Sequence, residues 1–118
     1  MAIQGGRWRG WYAHQGGGPR HSMELALSVR GQLLSGGGMD DVGTFSIHGS
    51  FDEGTTNFFW TKRYAAHSVY YKGAYDGKFL KGRWLLEGGQ GTFCLWPDGA
   101  GEKGRMSKAK PEKARISA

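Results

Sequence analysis

Few residues of this sequence combine the types and spacing that catalysis or metal binding requires. A catalytic cysteine needs a nearby base or a helix N-terminus to generate its thiolate, and neither accompanies Cys94. A metal site needs three or four converging ligands, and the spacing of the histidines fits no ligand motif. Those histidines are His14, His21, His48 and His67. We therefore predict a non-catalytic protein, with no catalytic residue, no metal site and no cofactor.

The carboxylates and the glycine triplet near the middle of the chain suggest structural roles. Residues 36–41, GGGMDD, are predicted to form a loop in which Asp41 begins the next strand through an Asx turn. A phosphate-binding loop would require the complete GxxxxGK[ST] string before a helix, and the sequence has neither. Glu24 and Glu87 lie on strand-like segments, and nothing in their spacing pairs them for acid–base catalysis.

Aromatic and basic residues interleave in the segment FFWTKRYAAHSVYYK, residues 58–72. On a barrel or an OB-like sheet this pattern indicates a stacking platform for single-stranded nucleic acid. The alternative is that the aromatic residues point inward and build a core, while Lys62, Arg63 and Lys72 face water. The segment carries no RNP-type motif, and the sequence leaves both interpretations open.

Apolar and polar residues alternate over most of the chain, which is typical of half-buried strands. The pattern is cleanest at residues 23–29, where Met23, Leu25, Leu27 and Val29 share one face. Seven further segments show it, near residues 8–12, 32–35, 45–51, 58–60, 69–75, 80–86 and 93–95. Glycine-rich and Asp-Gly turns separate most of these segments, and the 118 residues include 22 glycines.

Eight short strands in succession predict an all-β fold. The expected architecture is an eight-stranded antiparallel up-and-down barrel, because closure removes the exposed strand edges. The interior of a barrel of this size is either filled by side chains or holds one small ligand. The central question for function is therefore what occupies the interior.

A change of composition divides the sequence into a barrel domain, residues 1–97, and a polar tail, residues 98–118. The tail holds six basic and three acidic residues, so it carries half of the net charge of +6 in about a fifth of the length. Such a tail suits an acidic partner surface, either nucleic acid, anionic lipid or an acidic protein, although a solubilising extension has the same composition. Its basic residues are Lys103, Arg105, Lys108, Lys110, Lys113 and Arg115.

Features related to compartment predict a cytoplasmic protein. The single Cys94 cannot form an intrachain disulfide, and its apolar surroundings predict a buried, reduced thiol. The first residues, MAIQGGRWRGW, resemble neither a secretory signal nor a transit peptide. Apolar runs fall far short of the roughly 20 residues that span a bilayer. A cytoskeletal or ribonucleoprotein assembly would provide the acidic surface that the tail suits.

Two segments resemble the avidin/streptavidin family. Residues 64–86, YAAHSVYYKGAYDGKFLKGRWLL, are similar to a family strand with an "AHS" start followed by a "W-L-L" strand, and residues 10–17, GWYAHQGG, to its first strand. The resemblance implies a barrel of the avidin or, more widely, lipocalin type. It also implies that Trp60 and Trp84 match two tryptophans of the biotin pocket, and that Ser68 matches a polar pocket residue.

The polar part of that pocket is mostly missing from this sequence. Ala13, Gly17 and Gly91 stand where the family places residues that hydrogen-bond the ureido group, and Tyr70 stands where a small hydroxyl residue is expected. A site that has lost its hydrogen-bond partners loses orders of magnitude in affinity. We therefore do not expect biotin binding.

Two hypotheses for function follow. The first is a structural or adaptor subunit of a larger assembly, in which protein partners contact the barrel and the tail anchors it to an acidic surface. The second is a carrier of a small apolar or aromatic ligand, and either barrel could form homo-oligomers. The ligand-binding residues would then be Tyr12, Phe45, Trp60, Ser68 and Trp84.

Overall fold

A computed structural model describes residues 2–98 of the chain. They form eight antiparallel strands in one closed barrel, in which each strand pairs with its neighbours in sequence and β8 pairs with β1. The strands are β1 Gly6–His14, β2 His21–Arg30, β3 Leu33–Asp40, β4 Thr44–Phe51, β5 Asn57–Arg63, β6 Ser68–Tyr75, β7 Leu80–Leu86 and β8 Gly89–Pro97. The predicted all-β, eight-stranded, up-and-down barrel is confirmed. The predicted tail lies outside the described residues except for Asp98.

The two ends of the barrel differ in the connections that they carry. The end that we call the upper end holds the turns at residues 15–20, 41–43, 64–67 and 87–88, and the lower end holds the turns at residues 31–32, 52–56 and 76–79. Residues 2–98 contain no helix, and thus no helix that is long and apolar enough to cross a membrane.

The predicted loop at residues 36–41 is wrong, because most of it belongs to β3. The glycines let β2 approach closely: a Cβ added at Gly38 would lie 2.0 Å from the carbonyl oxygen of Glu24. The turn is thereby reduced to residues 41–43. The Asx turn is made by Asp40, whose Oδ1 accepts hydrogen bonds from the backbone N–H groups of Val42 at 2.9 Å and Gly43 at 3.3 Å, and not by Asp41 as expected.

Alternation along the strands other than the glycine-rich β3 directs large side chains into the barrel. Rings of the interior lie close together, with centroids 4.7 Å apart for Tyr71 and Phe93 and 5.0 Å apart for Phe58 and Trp60. Aromatic side chains therefore fill much of the space that a ligand would need. The eleven buried aromatic residues are Trp8, Tyr12, Phe45, Phe51, Phe58, Trp60, Tyr64, Tyr71, Tyr75, Trp84 and Phe93.

Glycine at position 49 allows β4 and β5 to pair without a clash. A Cβ added there would lie 1.9 Å from the carbonyl oxygen of Phe59 and 2.6 Å from the Cβ of Trp60. Gly54, in the turn between these strands, would meet only the side chain of Asp52, at 3.3 Å. These two glycines form a matched pair for substitution by alanine.

We expect Gly49→Ala to lower the free energy of unfolding by about 1–3 kcal/mol, because the added methyl group overpacks the strand pair. Gly54→Ala should change it by less than about 0.5 kcal/mol. Urea denaturation followed by tryptophan fluorescence measures both values. Equal unfolding midpoints for the two variants would contradict this account of the strand pair.

Candidate functional site

A lysine lies inside the upper end of the barrel. Strand β5 points Phe58, Trp60 and Lys62 to the same side, because side chains two residues apart share a face of a strand. Lys62 is only 1% exposed. The interpretation in which Lys62, Arg63 and Lys72 all face water is therefore wrong for Lys62, whereas Arg63 and Lys72 are exposed as it expected.

The ammonium group of Lys62 is paired with a buried carboxylate. Its Nζ lies 2.5 Å from Oδ2 of Asp40, and the Asp40 side chain is 0% exposed. Nζ also donates to the hydroxyl of Tyr71 at 3.1 Å and contacts Sδ of Met23 at 3.4 Å. It sits 4.3 Å from the ring centroid of Phe45. The three N–H donors of the lysine thus all have partners inside the barrel.

Two tyrosines extend this arrangement toward the surface. Tyr64 donates its hydroxyl proton to Oδ2 of Asp40, and Tyr12 donates to Oδ1 of Asp41. On the outer side, Oδ2 of Asp41 lies 2.6 Å from Nδ1 of His21. We call Tyr12, Asp40, Asp41, Lys62, Tyr64 and Tyr71 the polar cluster. It connects β1, β3, β5 and β6 with the turns that follow β3 and β5.

The environment of the polar cluster keeps its phenols protonated. Burial raises the pKa of Tyr12, Tyr64 and Tyr71, and the carboxylates add to this by accepting hydrogen bonds from Tyr12 and Tyr64 and through the charge of Asp40 near Tyr71. The hydrogen bond from Tyr12 lowers the pKa of Asp41. Burial lowers the pKa of Lys62, and the neighbouring charge of Asp40 opposes this shift.

The geometry of the polar cluster suits a structural role rather than a catalytic one. A nucleophilic lysine must present a free lone pair to its substrate, but Lys62 is enclosed and hydrogen-bonded. Within residues 2–98, no three His, Cys, Asp or Glu side chains are grouped to hold a metal ion. Cys94 is half-buried rather than buried, and burial raises the pKa of its thiol.

Four of the five predicted ligand-binding residues lie inside the barrel. Tyr12 and Phe45 face Lys62, with ring centroids 5.1 Å and 4.3 Å from its Nζ, and the ring of Trp84 lies 6.3 Å from that of Tyr12. Trp60 lies deeper, with its ring 6.1 Å from that of Tyr71. Ser68 is separate: it pairs with Arg63 in the outward-facing set of β6.

Sequence reasoning missed Asp40, Tyr64 and Tyr71, and one of its two interpretations placed Lys62 on the wrong side. The position of Lys62 could have been read from the sequence, since it follows Phe58 and Trp60 at a spacing of two. Asp40 could not, because residues 36–41 resembled a loop. Tyr64 follows the end of β5 but continues the inward spacing of Phe58, Trp60 and Lys62 and is buried, so the same spacing could have found it.

The outer surface carries a second candidate site. Strands β4 to β8 contain no Asp or Glu, and their outward basic residues are Arg63, Lys72, Lys81 and Arg83. Two large aromatic side chains are exposed on this surface, Phe59 at 56% and Tyr70 at 61%. We call the surface formed by Phe59, Arg63, Tyr70, Lys72 and Arg83 the basic aromatic face.

Among the residues that the structure describes, no acid neutralises the charges of the basic aromatic face. Neither Arg63 nor Lys72 has a carboxylate partner within the part of the chain that the structure describes. Arg83 donates to the side-chain oxygens of Gln15 at 3.1 Å and Gln90 at 2.6 Å, both of which are neutral. On the opposite side of the barrel, in contrast, Arg7 lies 3.7 Å from Glu24.

We expect Lys62→Met to lower the free energy of unfolding by about 3–5 kcal/mol, because Asp40 would remain buried without its cation. The double substitution K62M/D40N should recover part of this loss, since a neutral amide still accepts the hydrogen bond from Tyr64. Exposed Lys72→Met serves as the control, with a change below about 0.5 kcal/mol. Urea denaturation measures all three, and equal effects at positions 62 and 72 would contradict the buried pair.

We also expect the barrel to lose stability above pH ~10, the ordinary pKa of tyrosine. Because the pKa of Tyr12, Tyr64 and Tyr71 is higher in the folded than in the unfolded state, their contribution to stability is complete below that pH and decreases as the pH rises above it. Tyrosinate absorbance and near-UV circular dichroism, followed together, should change in one cooperative transition that Tyr64→Phe makes less steep. Ionisation of these phenols without loss of the dichroism signal would refute the prediction.

Comparison with known proteins does not assign the chain to a family. No protein-family model matches it, and no curated protein matches its sequence significantly. The closed eight-stranded meander is compatible with avidin-like and lipocalin-like barrels as architectures.

Proposed function

We propose that this chain is a non-catalytic β-barrel module that acts as a structural or adaptor subunit of a larger cytoplasmic assembly. The observation that carries the proposal is the basic aromatic face. Exposed large aromatic side chains on a surface of one charge sign are a common feature of contact surfaces. The partner presents a complementary, acidic surface.

The packed interior of the barrel also supports the adaptor proposal. It contains eleven aromatic side chains, and the Lys62–Asp40 pair lies among them. An interior packed in this way stabilises the barrel and leaves its outer surface for contacts. The tail, residues 98–118, adds basic residues that can anchor the module to the same acidic partner.

A specific observation favours the second candidate, a carrier of a small apolar or aromatic ligand. Nε1 of Trp60 is buried and has no hydrogen-bond partner among residues 2–98. A buried donor without an acceptor costs about 1–3 kcal/mol, so a bound molecule that supplied an acceptor there would gain affinity. Such a molecule would have to displace part of the aromatic packing, which makes this the weaker candidate.

The native mass of the endogenous protein tests the proposal. We expect gel filtration of a lysate from its source, with mass spectrometry across the fractions, to place the chain in a particle far heavier than its own 12.9 kDa. Charge reversal in the tail at Lys108, Lys110, Lys113 and Arg115 should reduce that fraction because it removes attraction to the acidic surface. A charge-conserving change of the three lysines to arginine is the control.

Elution as a free monomer or a small oligomer would contradict the adaptor proposal. Native mass spectrometry of those fractions would then show whether a small molecule stays bound to the barrel. A bound molecule would favour the carrier function instead.

A further inference from the structure

Strand register arranges the basic aromatic face as a regular grid. Phe59, Lys72 and Arg83 form one row across β5, β6 and β7, because Phe59 pairs with Lys72 and Lys72 with Arg83. Thr61, Tyr70 and Leu85 form the next row in the same way. The two aromatic rings thus occupy diagonal positions on adjacent strands. Side chains in this relation are close enough for one extended ligand to touch both.

Both rings of the grid are available to a ligand. Phe59 and Tyr70 are more than half exposed, and neither packs against another aromatic ring within residues 2–98. Their immediate partners across the strands include two short polar side chains, Ser50 opposite Phe59 and Thr61 opposite Tyr70. A flat molecule can therefore lie against either ring without moving a neighbouring aromatic side chain.

Basic side chains surround these two rings on three strands. Lys72 lies directly across from Phe59 and two residues along β6 from Tyr70. Arg83 lies beside Lys72, and Arg63 lies along β5 in the outward set of Phe59. The strands that form the grid carry no carboxylate to oppose a bound anion.

We propose that the basic aromatic face binds single-stranded nucleic acid, with two bases stacked on Phe59 and Tyr70 and the phosphates near Arg63, Lys72 and Arg83. This inference rests on the proposed function, since it names the class of acidic partner that the module contacts. Stacking of bases on exposed aromatic side chains within a basic groove is how sequence-tolerant single-strand binding works. Two uncovered rings on adjacent strands of one sheet provide such a platform.

Charge alone does not distinguish nucleic acid from an acidic protein, but the two rings do. An acidic peptide would need the cations and would leave the rings without stacking partners. A nucleic acid duplex would contact the cations through its phosphates, while its bases would be unavailable for stacking. Within residues 2–98, two uncovered rings lie beside three cations that no carboxylate opposes, and this combination favours the single strand.

A shallow groove next to the grid extends this surface at the upper end. It has a volume of about 630 Å³ and is lined by His14, Gln15, Leu85, Leu86, Gly88, Gly89 and Gln90. Leu85 pairs with Tyr70 across β6 and β7, so the groove begins next to the row that contains the Tyr70 ring. Its apolar walls and amide groups suit a further base next to the one stacked on Tyr70.

The test uses the full chain with a fluorescein-labelled single-stranded oligonucleotide of twelve uridines, or of twelve thymidines. We expect Phe59→Ser and Tyr70→Ser each to weaken binding about 5- to 150-fold, the range that loss of one stacked base produces. Met39→Ser is the matched control, since Met39 is 55% exposed on β3, outside the grid. Circular dichroism and the unfolding midpoint should stay unchanged, because all three side chains are exposed.

Salt dependence tests the cations separately from the rings. Three phosphate contacts predict that replacing Arg63, Lys72 and Arg83 by Gln reduces the slope of log K against log salt by about 2. The ring variants should leave that slope unchanged. These two results together would support stacking and phosphate contacts on one face.

Three results would overturn the inference. The first is unchanged affinity for the oligonucleotide in both ring variants together with equally tight binding of a polyglutamate peptide. This face would then bind an acidic protein, and the adaptor proposal would still stand. Equal affinity for a duplex of the same length would exclude base stacking. If the chain elutes in a large particle but binds no oligonucleotide, nucleic acid is excluded as the partner and the adaptor proposal still stands. If the chain neither binds an oligonucleotide nor elutes in a large particle, the adaptor proposal is contradicted as well.

Discussion

The buried pair of Lys62 and Asp40 constrains the whole upper end of the barrel. Removing two charges from water costs several kcal/mol for each ion, and only close pairing with further hydrogen bonds offsets this cost. Nζ of Lys62 therefore needs Asp40 at 2.5 Å, and Asp40 needs the hydroxyl of Tyr64. Strand β3 must then continue to residue 40. This explains why a glycine triplet lies in the middle of a strand, where β2 passes close by.

The period of two in β5 separates core and surface roles within one continuous segment. Phe58, Trp60 and Lys62 point inward, and Phe59, Thr61 and Arg63 point outward. The mixture of aromatic and basic residues in the sequence is thus two patterns superimposed. On the inward side, the ammonium group of Lys62 is paired with the carboxylate of Asp40 and lies against aromatic rings. The outward pattern leaves Arg63 without an acidic partner among residues 2–98, and the proposed contacts are made on that face.

The closed barrel is compatible with the avidin-like architecture that the resemblance implied. Trp60 and Trp84 lie inside the barrel, as the resemblance implied. Ser68 and Tyr70 belong to the outward-facing set of β6, so they do not line the interior as their counterparts would. Aromatic packing and the polar cluster occupy much of the space at the upper end. A shared barrel architecture therefore says little about what the interior binds.

Local patterns in the sequence were sufficient to predict the strands, their order and the closed barrel. The alternation of apolar and polar residues indicates which residues share a face of a strand, and glycine-rich turns indicate where one strand ends and the next begins. The same patterns did not predict the polar cluster, because residues 36–41 resemble a turn until β2 is placed beside them. Lys62 could have been assigned to the interior from its spacing, but its counterion could not.

The sequence by itself therefore determined the class of fold and the amphipathic faces of its strands, since both depend on neighbours along the chain. Only the tertiary structure decided which aspartate pairs with the buried lysine and which aromatic side chains remain exposed. Asp40, Lys62 and Tyr71 belong to three different strands, and barrel closure brings them together. The basic aromatic face likewise depends on register, which sets Phe59 and Tyr70 on one diagonal beside Lys72.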